Sequence, residues 1–549
     1  MKAALLRTSG VLAGSLGLAF GLVPHVLAQG MGPGSSDYTT ADATNWVLPA
    51  HDYSDNRYVT ESEITPANVS GLKTAWTAPI DARGPLEVSP IVYNGTMYVS
   101  SSHNDVYALD AATGKQKWHF HYNPHVIAFS ANRGVALVGD KVYEATLDGH
   151  LIALNAATGK VVWNVVAAHD LTNTFYTMQP VPYKNMLLLG ASNGDWGGIG
   201  YISAFDQATG KRIWDWYTIP GPGRAGHNTW AGDSWKRGGG AIWSGVAIDP
   251  ESGTLYVDCG NPQPDFLGTI RKGSNLYTNS MVALDISGAK PKIKWFQQFI
   301  PHDTHDWDPA MPPVLFSGTV GGASRKLVAA GDKGGNFFVL DAATGKVVYH
   351  VAVSTQKGQN TQPDRAGDIA CPNTNGGVEF NGASYLPETN AFYIPSVDQC
   401  GLWKSNGTAT YIAGQFYLGG GFPSLVGPST GWMSALDIST GKFMWRKHLA
   451  FPQIGGALTT SSGIVFTGGV NGDFTAYDAK TGNVLWHYAT GHTIQAPAGT
   501  YMAGGKRYVV VANGPAGVNF ADPRFGKGAP TLEGTYTHPV TAQITAFTL

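Results

Sequence analysis

The chain has 549 residues, among them 71 glycines and 32 prolines, and only 13% of its residues are charged. This composition is typical of many short strands joined by turns, and it argues against long charged surface helices and against disorder. The formal net charge is −2 and no basic patch is visible, so the sequence argues against nucleic acid as a ligand.

The N-terminus has the pattern of an export signal. Lys2 and Arg7 precede an apolar stretch that ends in small residues suited to cleavage before Gln29. A membrane anchor is the alternative, but the apolar run is short and interrupted by glycine. We therefore predict a signal peptide at 1–28, a single domain at 29–549 in the periplasm, and no membrane span in the mature chain.

One sequence pattern, Ala-hydrophobic-Asp/Asn-x-x-Thr-Gly-Lys/Asn-x-x-Trp/Tyr, recurs along the chain. Its six copies lie at 108–118, 153–163, 204–214, 339–349, 435–445 and 476–486. Each copy predicts a strand, a tight turn closed by Thr-Gly, and a second strand that ends in an aromatic residue. One hairpin cannot bury its own apolar face, but several around an axis can, with each aromatic residue packed on the neighbouring blade. The repeat therefore predicts a β-propeller of six to eight blades in one large domain.

The three cysteines are Cys259, Cys371 and Cys400. Cys371 and Cys400 flank one hairpin-like segment, and in an oxidising compartment we expect them to pair, leaving Cys259 as a buried thiol. The sequence contains no C-x-x-C-H, so a covalently attached c-type haem is not expected.

Several segments carry a family resemblance. The segment ITPANVSGLKTAW at 64–76, the closing segment ITAFTL at 544–549 and the motifs between them resemble the quinoprotein alcohol dehydrogenases, which use pyrroloquinoline quinone (PQQ) and include methanol dehydrogenase. The resemblance implies an all-β fold, an eight-bladed β-propeller of four-stranded antiparallel blades. It also implies the site residues that follow.

The first two matching motifs are LEVSPIV and ANRGVA, which supply Glu87 and Arg133 as cofactor contacts. PQQ carries three carboxylates, and the guanidinium fork of an arginine suits them. A solvated acid at a strand edge is the alternative for Glu87. The sequence departs from methanol dehydrogenase upstream of Arg133, where Ile127 and Ala128 stand in place of two adjacent cysteines that form a vicinal disulfide against the quinone.

The segment YTMQPVPYKNMLLLGASNGDWGGIGY matches a cofactor and metal region of the family. The resemblance implies that the hydroxyls of Thr177 and Ser192 bind PQQ and that Asp195 stands where the family has a metal-ligating glutamate. The side chain of Asp195 is one methylene shorter, and hard cations such as Ca²⁺ accept either carboxylate. An aspartate that stabilises the glycine-rich turn is the alternative.

The motifs GGGAIWSG and VDCGNPQP come next. Trp243 resembles the tryptophan that lies flat under the quinone, a role that needs a large rigid aromatic face. Asn261 resembles the amide ligand of the metal. Either residue alone is more often structural, and only their spacing from Asp195 indicates a site.

The segment IPHDTHDWDPAMPPVLF is dense in acids and histidines. The resemblance places Asp306 at the catalytic base, with Asp308 two residues further on. Positions i and i+2 of an extended chain face the same side, so both carboxylates can bind one cation. An acid at the second position occurs in lanthanide-using relatives and in Ca²⁺-using ones, so the choice between Ca²⁺ and a lanthanide stays open.

Two further residues complete the predicted site. The resemblance places Lys333, in AAGDKGGNFFVLD, beside the quinone oxygens as a catalytic and cofactor-binding residue, although a turn lysine is the alternative. It places Asn381, in VEFNGASY, at a further cofactor contact. Asp306 then accepts the substrate hydroxyl proton as hydride passes to the quinone, and Lys333 stabilises the negative charge that develops.

The resemblance implies a periplasmic alcohol dehydrogenase that binds PQQ and one cation and passes electrons to a soluble c-type cytochrome. Two rivals remain open, because a propeller does not fix a function: a PQQ-free hydrolase similar to tetrathionate hydrolase, and a cofactor-free scaffold. The identity of the alcohol is not predicted, and a homodimer is compatible with the sequence.

Overall fold

The structure is a computed structural model that describes residues 32–34, 37–39, 43–82, 84–124, 131–515 and 540–549. Within these ranges the chain is built of strands joined by turns and six short 3-10 helices, and the strands form eight sheets. The expected signal peptide at 1–28 lies outside the described residues, as do Ile127 and Ala128. No helix in the described part is long and apolar enough to cross a membrane.

The eight sheets are numbered here by their order along the chain. Sheet 1 contains Ile91–Tyr93, Thr96–Ser100, Val106–Asp110 and Gln116–Phe120. Sheet 2 contains Ala136–Val138, Lys141–Ala145, His150–Asn155 and Val161–Val166. Sheet 3 contains Val181–Tyr183, Met186–Gly190, Tyr201–Asp206 and Arg212–Tyr217. Sheet 4 contains Val246–Asp249, Thr254–Cys259, Ser280–Asp285 and Lys292–Gln298.

The other four sheets continue this order. Sheet 5 contains Val314–Val320, Ala323–Gly331, Asn336–Asp341 and Val347–Ala352. Sheet 6 contains Asp368–Ala370, Ser384–Leu386, Ala391–Ser405, Gly420–Asp437 and Lys442–Leu449. Sheet 7 contains Gln453–Thr460, Ile464–Gly469, Asp473–Asp478, Val484–Ala489 and the short Tyr58–Val59. Sheet 8 contains Lys73–Ala82, Gly499–Ala503, Lys506–Asn513 and Val540–Thr548.

Strand pairing in these sheets is antiparallel, apart from Tyr58–Val59, which pairs in parallel with Gln453–Thr460. The short 3-10 helices lie in the connections, at Val69–Gly71, Gly194–Trp196, His227–Thr229, Ser234–Arg237, Gly268–Ile270 and Pro387–Thr389. The expectation of an all-β fold of four-stranded antiparallel sheets is therefore confirmed for most of the chain, and sheets 6 and 7 each carry one additional strand.

The repeated turn joins the third and fourth strands of a sheet. In its first copy Asp110 Oδ1 accepts hydrogen bonds from Thr113 N at 3.0 Å and Thr113 Oγ1 at 2.8 Å. Gly114 follows with a φ of +71°, and a Cβ atom at that position would lie 2.5 Å from the Trp76 indole. The turn thus needs glycine for its backbone conformation and for the close approach of the indole.

The aromatic residues of the repeat connect successive sheets. Trp118 of sheet 1 donates its Nε1 hydrogen bond to Ala156 O, in the turn of sheet 2, at 2.9 Å, and Trp445 of sheet 6 does the same to Ala479 O of sheet 7 at 2.9 Å. Trp486 of sheet 7 donates to Leu72 O, directly before sheet 8, at 3.2 Å. The prediction that each aromatic residue packs on the neighbouring sheet is confirmed at these positions.

Sheet 8 joins the two ends of the described fold. Lys73–Ala82 pairs antiparallel with Val540–Thr548, and Trp76 donates to Ala111 O of sheet 1 at 3.2 Å. The last sheet is thereby hydrogen-bonded to the first, so the apolar faces at the start and at the end of the chain are both covered.

The predicted disulfide between Cys371 and Cys400 is present, with an S–S distance of 2.06 Å, and Cys259 is a buried free thiol. Pro372, next to the disulfide, accepts a hydrogen bond from Trp307 Nε1 through its carbonyl oxygen at 3.1 Å. The bridge therefore lies beside the loop that carries Asp306 and Asp308.

Candidate active site

Ten of the eleven predicted site residues lie close to the ends of strands in sheets 1 to 6. Nine of them lie shortly before the first strand of a sheet or shortly after its second strand: Glu87, Arg133, Thr177, Ser192, Asp195, Trp243, Asn261, Asp306 and Lys333. Asn381 lies directly before Ser384–Leu386, the second strand of sheet 6 along the chain. Because neighbouring strands are antiparallel, the first strand begins at the same end of the sheet at which the second strand stops. The eleventh, Asp308, is on the same loop as Asp306. The topology therefore brings residues that are distant in sequence to the same ends of the strands.

Three carboxylates form the centre of the site, which we call the acid cluster. One oxygen of Asp195, one of Asp265 and one of Asp306 lie within 4.8 Å of one another. The side chain of Asp265 is buried, and neither of its oxygens has a hydrogen-bond partner in the described part of the chain. Asp265 is not among the residues that the sequence predicted.

Lys333 is the cation that contacts Asp306 of this cluster and the neighbouring Asp308. Its Nζ atom lies 3.1 Å from Asp306 Oδ1 and 3.2 Å from Asp308 Oδ2, and the backbone N–H of Lys333 donates to Asp308 O at 2.8 Å. Lys333, which was predicted beside the quinone oxygens, thus lies beside both predicted aspartates. One ammonium cannot compensate all the surrounding carboxylates, and unpaired buried charge is costly.

Asp308 connects the acid cluster to Trp243, the tryptophan predicted to lie flat under the quinone. Its Oδ2 atom accepts a hydrogen bond from Trp243 Nε1 at 2.9 Å, and its Oδ1 atom accepts one from the backbone N–H of Asn261. The sequence predicted that Asp306 and Asp308 face one cation. In the structure Asp306 belongs to the acid cluster, whereas both oxygens of Asp308 hold protein donors in place.

The loop that carries these aspartates is fixed by Asp303. Its Oδ1 atom accepts from His305 N at 2.9 Å, and its Oδ2 atom accepts from Trp307 N at 2.7 Å. Asn279 Nδ2 donates to Asp303 Oδ2 at 3.2 Å and to Trp307 O at 2.9 Å. A buried network of this kind holds a loop in one conformation, so the acids do not depend on a bound ligand for their position.

Polar groups from sheets 1 to 3 surround the other side of Trp243. Arg133 forms a 2.8 Å ion pair with Glu87 and donates to Trp243 O at 3.1 Å. Its guanidinium carbon lies 4.9 Å from the centre of the Trp243 ring. Thr177 Oγ1 lies 2.8 Å from Ser192 Oγ and donates to Trp243 O at 3.1 Å. The structure thus brings all five predicted residues together.

Asn381 and its neighbour Glu379 differ in their environment. Asn381 Nδ2 donates to Ile454 O at 2.6 Å and to Gln495 O at 2.8 Å, so its amide protons are held by the backbone. Glu379 was not predicted, yet it is buried, and it interacts electrostatically with Lys333 and Arg133. The sequence signal available for Glu379 was an acid between two apolar residues in VEFNGASY. The signal available for Asp265 was an aspartate four residues after the predicted ligand Asn261.

Burial and the number of neighbouring acids shift the pKa values of the titratable groups in the site. Burial and the charge of Asp308 raise the pKa of Asp195 to about 6, against the opposing effect of Lys333. Burial raises the pKa of Asp306 well above its ordinary value, opposed by Lys333. Burial lowers the pKa of Lys333, but Asp306 and Asp308 outweigh it and raise that pKa well above the ordinary value.

The donor set fits a hard cation. Carboxylate and amide oxygens are the ligands that Ca²⁺ prefers, and a more highly charged cation gains more from each carboxylate. Buried carboxylates outnumber buried cations here, since Glu87, Asp195, Asp265, Asp306, Asp308 and Glu379 are accompanied by Arg133, Lys333 and Arg271, and Arg271 also interacts with Asp303. The oxygens of Asp265 without partners give a direct reason to place a cation at the acid cluster.

The polar groups around Trp243 fit a flat anionic ligand. Trp243 offers an aromatic face, Arg133 a guanidinium suited to carboxylates, and Thr177 and Ser192 hydroxyl groups. These are the contacts that the sequence predicted for PQQ.

Comparison with known proteins shows the family. The family model for the β-propeller domain of glucose, ethanol and alcohol dehydrogenases matches residues 46–361, more than half of the chain, and residues 403–528 match the model of the outer membrane protein assembly factor BamB. The quinohemoprotein alcohol dehydrogenase of Comamonas testosteroni is 32% identical over 535 residues, which cover 88% of this chain and 75% of that protein.

Two comparisons concern methanol dehydrogenases. The lanthanide-dependent methanol dehydrogenase of Methylacidiphilum fumariolicum (strain SolV) is 31% identical over 522 residues, covering 86% of this chain and 85% of that protein. A solved structure of a europium-containing methanol dehydrogenase superposes with a TM-score of 0.82 at 28% identity, covering 94% of this chain and 99% of that one. The chain therefore belongs to the PQQ-dependent alcohol dehydrogenase family of β-propeller quinoproteins.

Proposed function

We propose that this protein is a periplasmic quinoprotein dehydrogenase, which oxidises an alcohol or a similar hydroxyl compound with bound PQQ and one cation. The observation that carries the proposal is the acid cluster, with the unpartnered oxygens of Asp265, directly beside the Trp243 floor and the Arg133 guanidinium. A hydrolase or a scaffold has no evident need for that combination.

In this proposal the eight sheets are the eight blades of one propeller domain at 29–549, which follows a signal peptide at 1–28. The hydrogen bonds from Trp118, Trp445 and Trp486 to the next sheet support it, as does the bond from Trp76 of sheet 8 to sheet 1. Export also fits the disulfide, since disulfides persist in oxidising compartments.

The cation is held by Asp195, Asp265, Asp306 and the side-chain oxygen of Asn261. Asp308 acts on the same site by fixing Asn261 and Trp243. The cation is Ca²⁺ or a lanthanide, and the number of carboxylates favours the higher charge.

Arg133, Thr177, Ser192, Glu87 and Trp243 would hold PQQ, which would supply the two-electron oxidant. Arg133 pairs with the ligand's carboxylates, and its contact with Glu87 keeps the guanidinium in position. The apolar ring of Phe380 lies 4.3 Å from the guanidinium carbon and 6.1 Å from the Trp243 ring centre, so both rings border the same guanidinium. This enclosure excludes water and strengthens the ionic contacts.

Asp306 is the proposed general base, because its carboxylate lies at the end of a fixed loop in the acid cluster. It would accept the proton of the substrate hydroxyl, and PQQ would supply the acceptor for the hydride, so that the alcohol loses two electrons and two protons in total. Lys333, 3.1 Å from Asp306, favours the ionised carboxylate and stabilises negative charge that develops next to it. Reoxidation requires an external acceptor, for which we propose a soluble c-type cytochrome.

The test is an equilibrium titration of the purified metal-free protein with PQQ in the presence of Ca²⁺ or La³⁺, followed by absorbance. We expect saturable binding of one PQQ, followed by alcohol-dependent reduction of an artificial dye or an added cytochrome c. Absence of PQQ binding with every metal tried would overturn the proposal. Hydrolysis of tetrathionate by the PQQ-free protein would support a hydrolase instead, and the absence of both activities a scaffold.

A further inference from the structure

Two histidines and an aspartate converge at the edge of sheet 1, apart from the acid cluster. His119 Nε2 lies 2.8 Å and His121 Nδ1 lies 3.1 Å from the same atom, Asp105 Oδ2. All three possible ligand atoms lie within 4.8 Å of one another. The side chain of Asp105 is 3% exposed, whereas those of His119 and His121 are 27% and 67% exposed, so the group opens to solvent on the histidine side.

The protein holds this arrangement through other contacts. Asp105 Oδ1 accepts a hydrogen bond from Tyr122 N at 2.8 Å, which leaves Oδ2 for the two imidazoles. The backbone N–H of Asp105 donates to Ser101 Oγ at 3.1 Å. The ring of His119 stacks on Tyr107, with ring centres 4.2 Å apart and an angle of 8° between the planes. Two of the three side chains are therefore fixed before any ligand binds.

Sheet 7 has an aspartate and one histidine at the corresponding positions of the repeat, but no second histidine. Asp473 and His487 occupy the places of Asp105 and His119 in the repeat, and they form an ordinary cross-strand contact of 2.9 Å. Two residues after His487 the strand carries Ala489, where sheet 1 carries His121. A cross-strand hydrogen bond therefore accounts for one histidine but not for the second, which points at the same oxygen.

We propose that Asp105, His119 and His121 form a second metal site, which binds a transition-metal dication such as Zn²⁺ or Cu²⁺. Two imidazole nitrogens and one carboxylate oxygen are a common donor set for these ions, and water completes the coordination. Ligand atoms about 2.0–2.1 Å from a tetrahedral metal lie roughly 3.3 Å apart, so the observed 2.8 Å and 3.1 Å contacts need to open only slightly.

This site differs in chemistry from the acid cluster. Imidazole ligands favour zinc and copper, whereas a set of oxygen atoms alone favours calcium and other hard cations. The protein therefore has two cation sites of different preference, and the second does not depend on PQQ or on alcohol oxidation.

The test uses the full-length protein, stripped of metal and free of PQQ. Calorimetric titration with ZnCl₂ should show saturable binding, and Cu²⁺ added to the same protein should give an electron paramagnetic resonance signal with coupling to two imidazole nitrogens. The variant His121→Ala should bind Zn²⁺ more than tenfold more weakly, since even changes outside the ligand set cost about 10–100-fold in metal sites. Its Cu²⁺ signal should retain one nitrogen of this pair.

The matched control is His487→Ala, which removes a histidine from the equivalent cross-strand contact and should leave Zn²⁺ binding unchanged. His121 is mostly exposed, so its replacement should also leave the melting temperature unchanged, and His119→Gln provides a second variant that retains a polar side chain. Wild-type affinity in both His121→Ala and His119→Gln would overturn the proposal, as would the absence of saturable Zn²⁺ binding by the wild-type protein.

Discussion

Asp265→Asn separates the cost of a buried charge from its use as a metal ligand. Asp265 is 1% exposed and its oxygens have no partner in the described part of the chain, so its ionised form destabilises the metal-free protein. The asparagine keeps the shape and removes the charge. Burial and the neighbouring acids raise the pKa of Asp265, so the charge that the variant removes destabilises the wild type at neutral pH, and we expect the metal-free variant to be more stable by about 1–3 kcal/mol.

Cation binding should change in the opposite direction. Two unit charges 4 Å apart interact by about 4 kcal/mol at an effective dielectric constant of 20, and part of this is offset because the carboxylate must lose its proton. A net loss of about 2.7 kcal/mol corresponds to roughly 100-fold weaker Ca²⁺ binding. A trivalent lanthanide interacts half as strongly again with the lost charge, so its affinity should fall further.

The assay combines thermal melting of the metal-free protein with calorimetric titration of Ca²⁺ and La³⁺. Asp258→Asn is the matched control, because Asp258 is also buried with both oxygens unpartnered among the described residues, yet it does not belong to the acid cluster. The control should gain stability and keep its cation affinity. Equal cation affinity in Asp265→Asn and the wild type would refute the ligand role of Asp265.

Three further predictions concern the proposed base Asp306, the buried acid Glu379 and the repeated turn at Gly114. Asp306→Asn should lower turnover by about 100-fold or more while PQQ stays bound, as the loss of a general base does; near-normal turnover would place the base elsewhere. The pKa of Glu379 is raised to about 7 by burial, so the metal-free protein should lose up to roughly 3 kcal/mol of stability as the pH rises from about 4.5 to above 7, and Glu379→Gln should flatten that dependence in melting curves. Gly114→Ala should destabilise more than Gly95→Ala, because both glycines have similar positive φ values of +71° and +73° but only a Cβ at Gly114 meets an indole; equal denaturation midpoints would contradict the packing argument.

The repeated hairpins could be predicted from the sequence because the information is local. The aspartate or asparagine that begins each turn hydrogen-bonds to the following residues, as Asp110 and Asn155 do to Thr113 and Thr158, and the aromatic residue follows at a fixed distance. The all-β fold and the aromatic contacts between sheets were predicted on this basis and are confirmed. The Cys371–Cys400 bridge, predicted from an oxidising compartment and the hairpin-like segment between the two cysteines, is also confirmed.

Two of the eight sheets could not be recognised from the repeat. In sheet 4 the turn after Asp285 is longer, so the Thr-Gly spacing is absent, although Trp295 still donates to Ala342 O of sheet 5 at 3.0 Å. In sheet 8 the strand Val540–Thr548 pairs with Lys73–Ala82, from the other end of the chain. A pattern search along the sequence cannot join two halves of one hairpin that are separated by most of the chain.

The candidate site was predicted through resemblance, and the roles of its residues stay predictions. Clustering of Glu87, Arg133 and Trp243 followed from the family motifs. Asp265 and Glu379 were missed, because the family motifs assign no role to either residue and their burial beside other acids is a property of the folded chain. An aspartate or glutamate in a sequence does not by itself indicate that its side chain will be buried beside other acids.

The missed acids change how the site has to be understood. A site with Asp195 and Asp306 alone needs a cation mainly for chemistry, whereas the addition of Asp265 and Glu379 makes the metal-free state electrostatically unfavourable. That cost is tolerated because the loops are fixed from outside the site, by the hydrogen bonds of Asp303 and by the rigid sheets from which the loops emerge. Cation binding then relieves repulsion in a structure that is already formed, so affinity for the ion and stability of the bound protein should rise together.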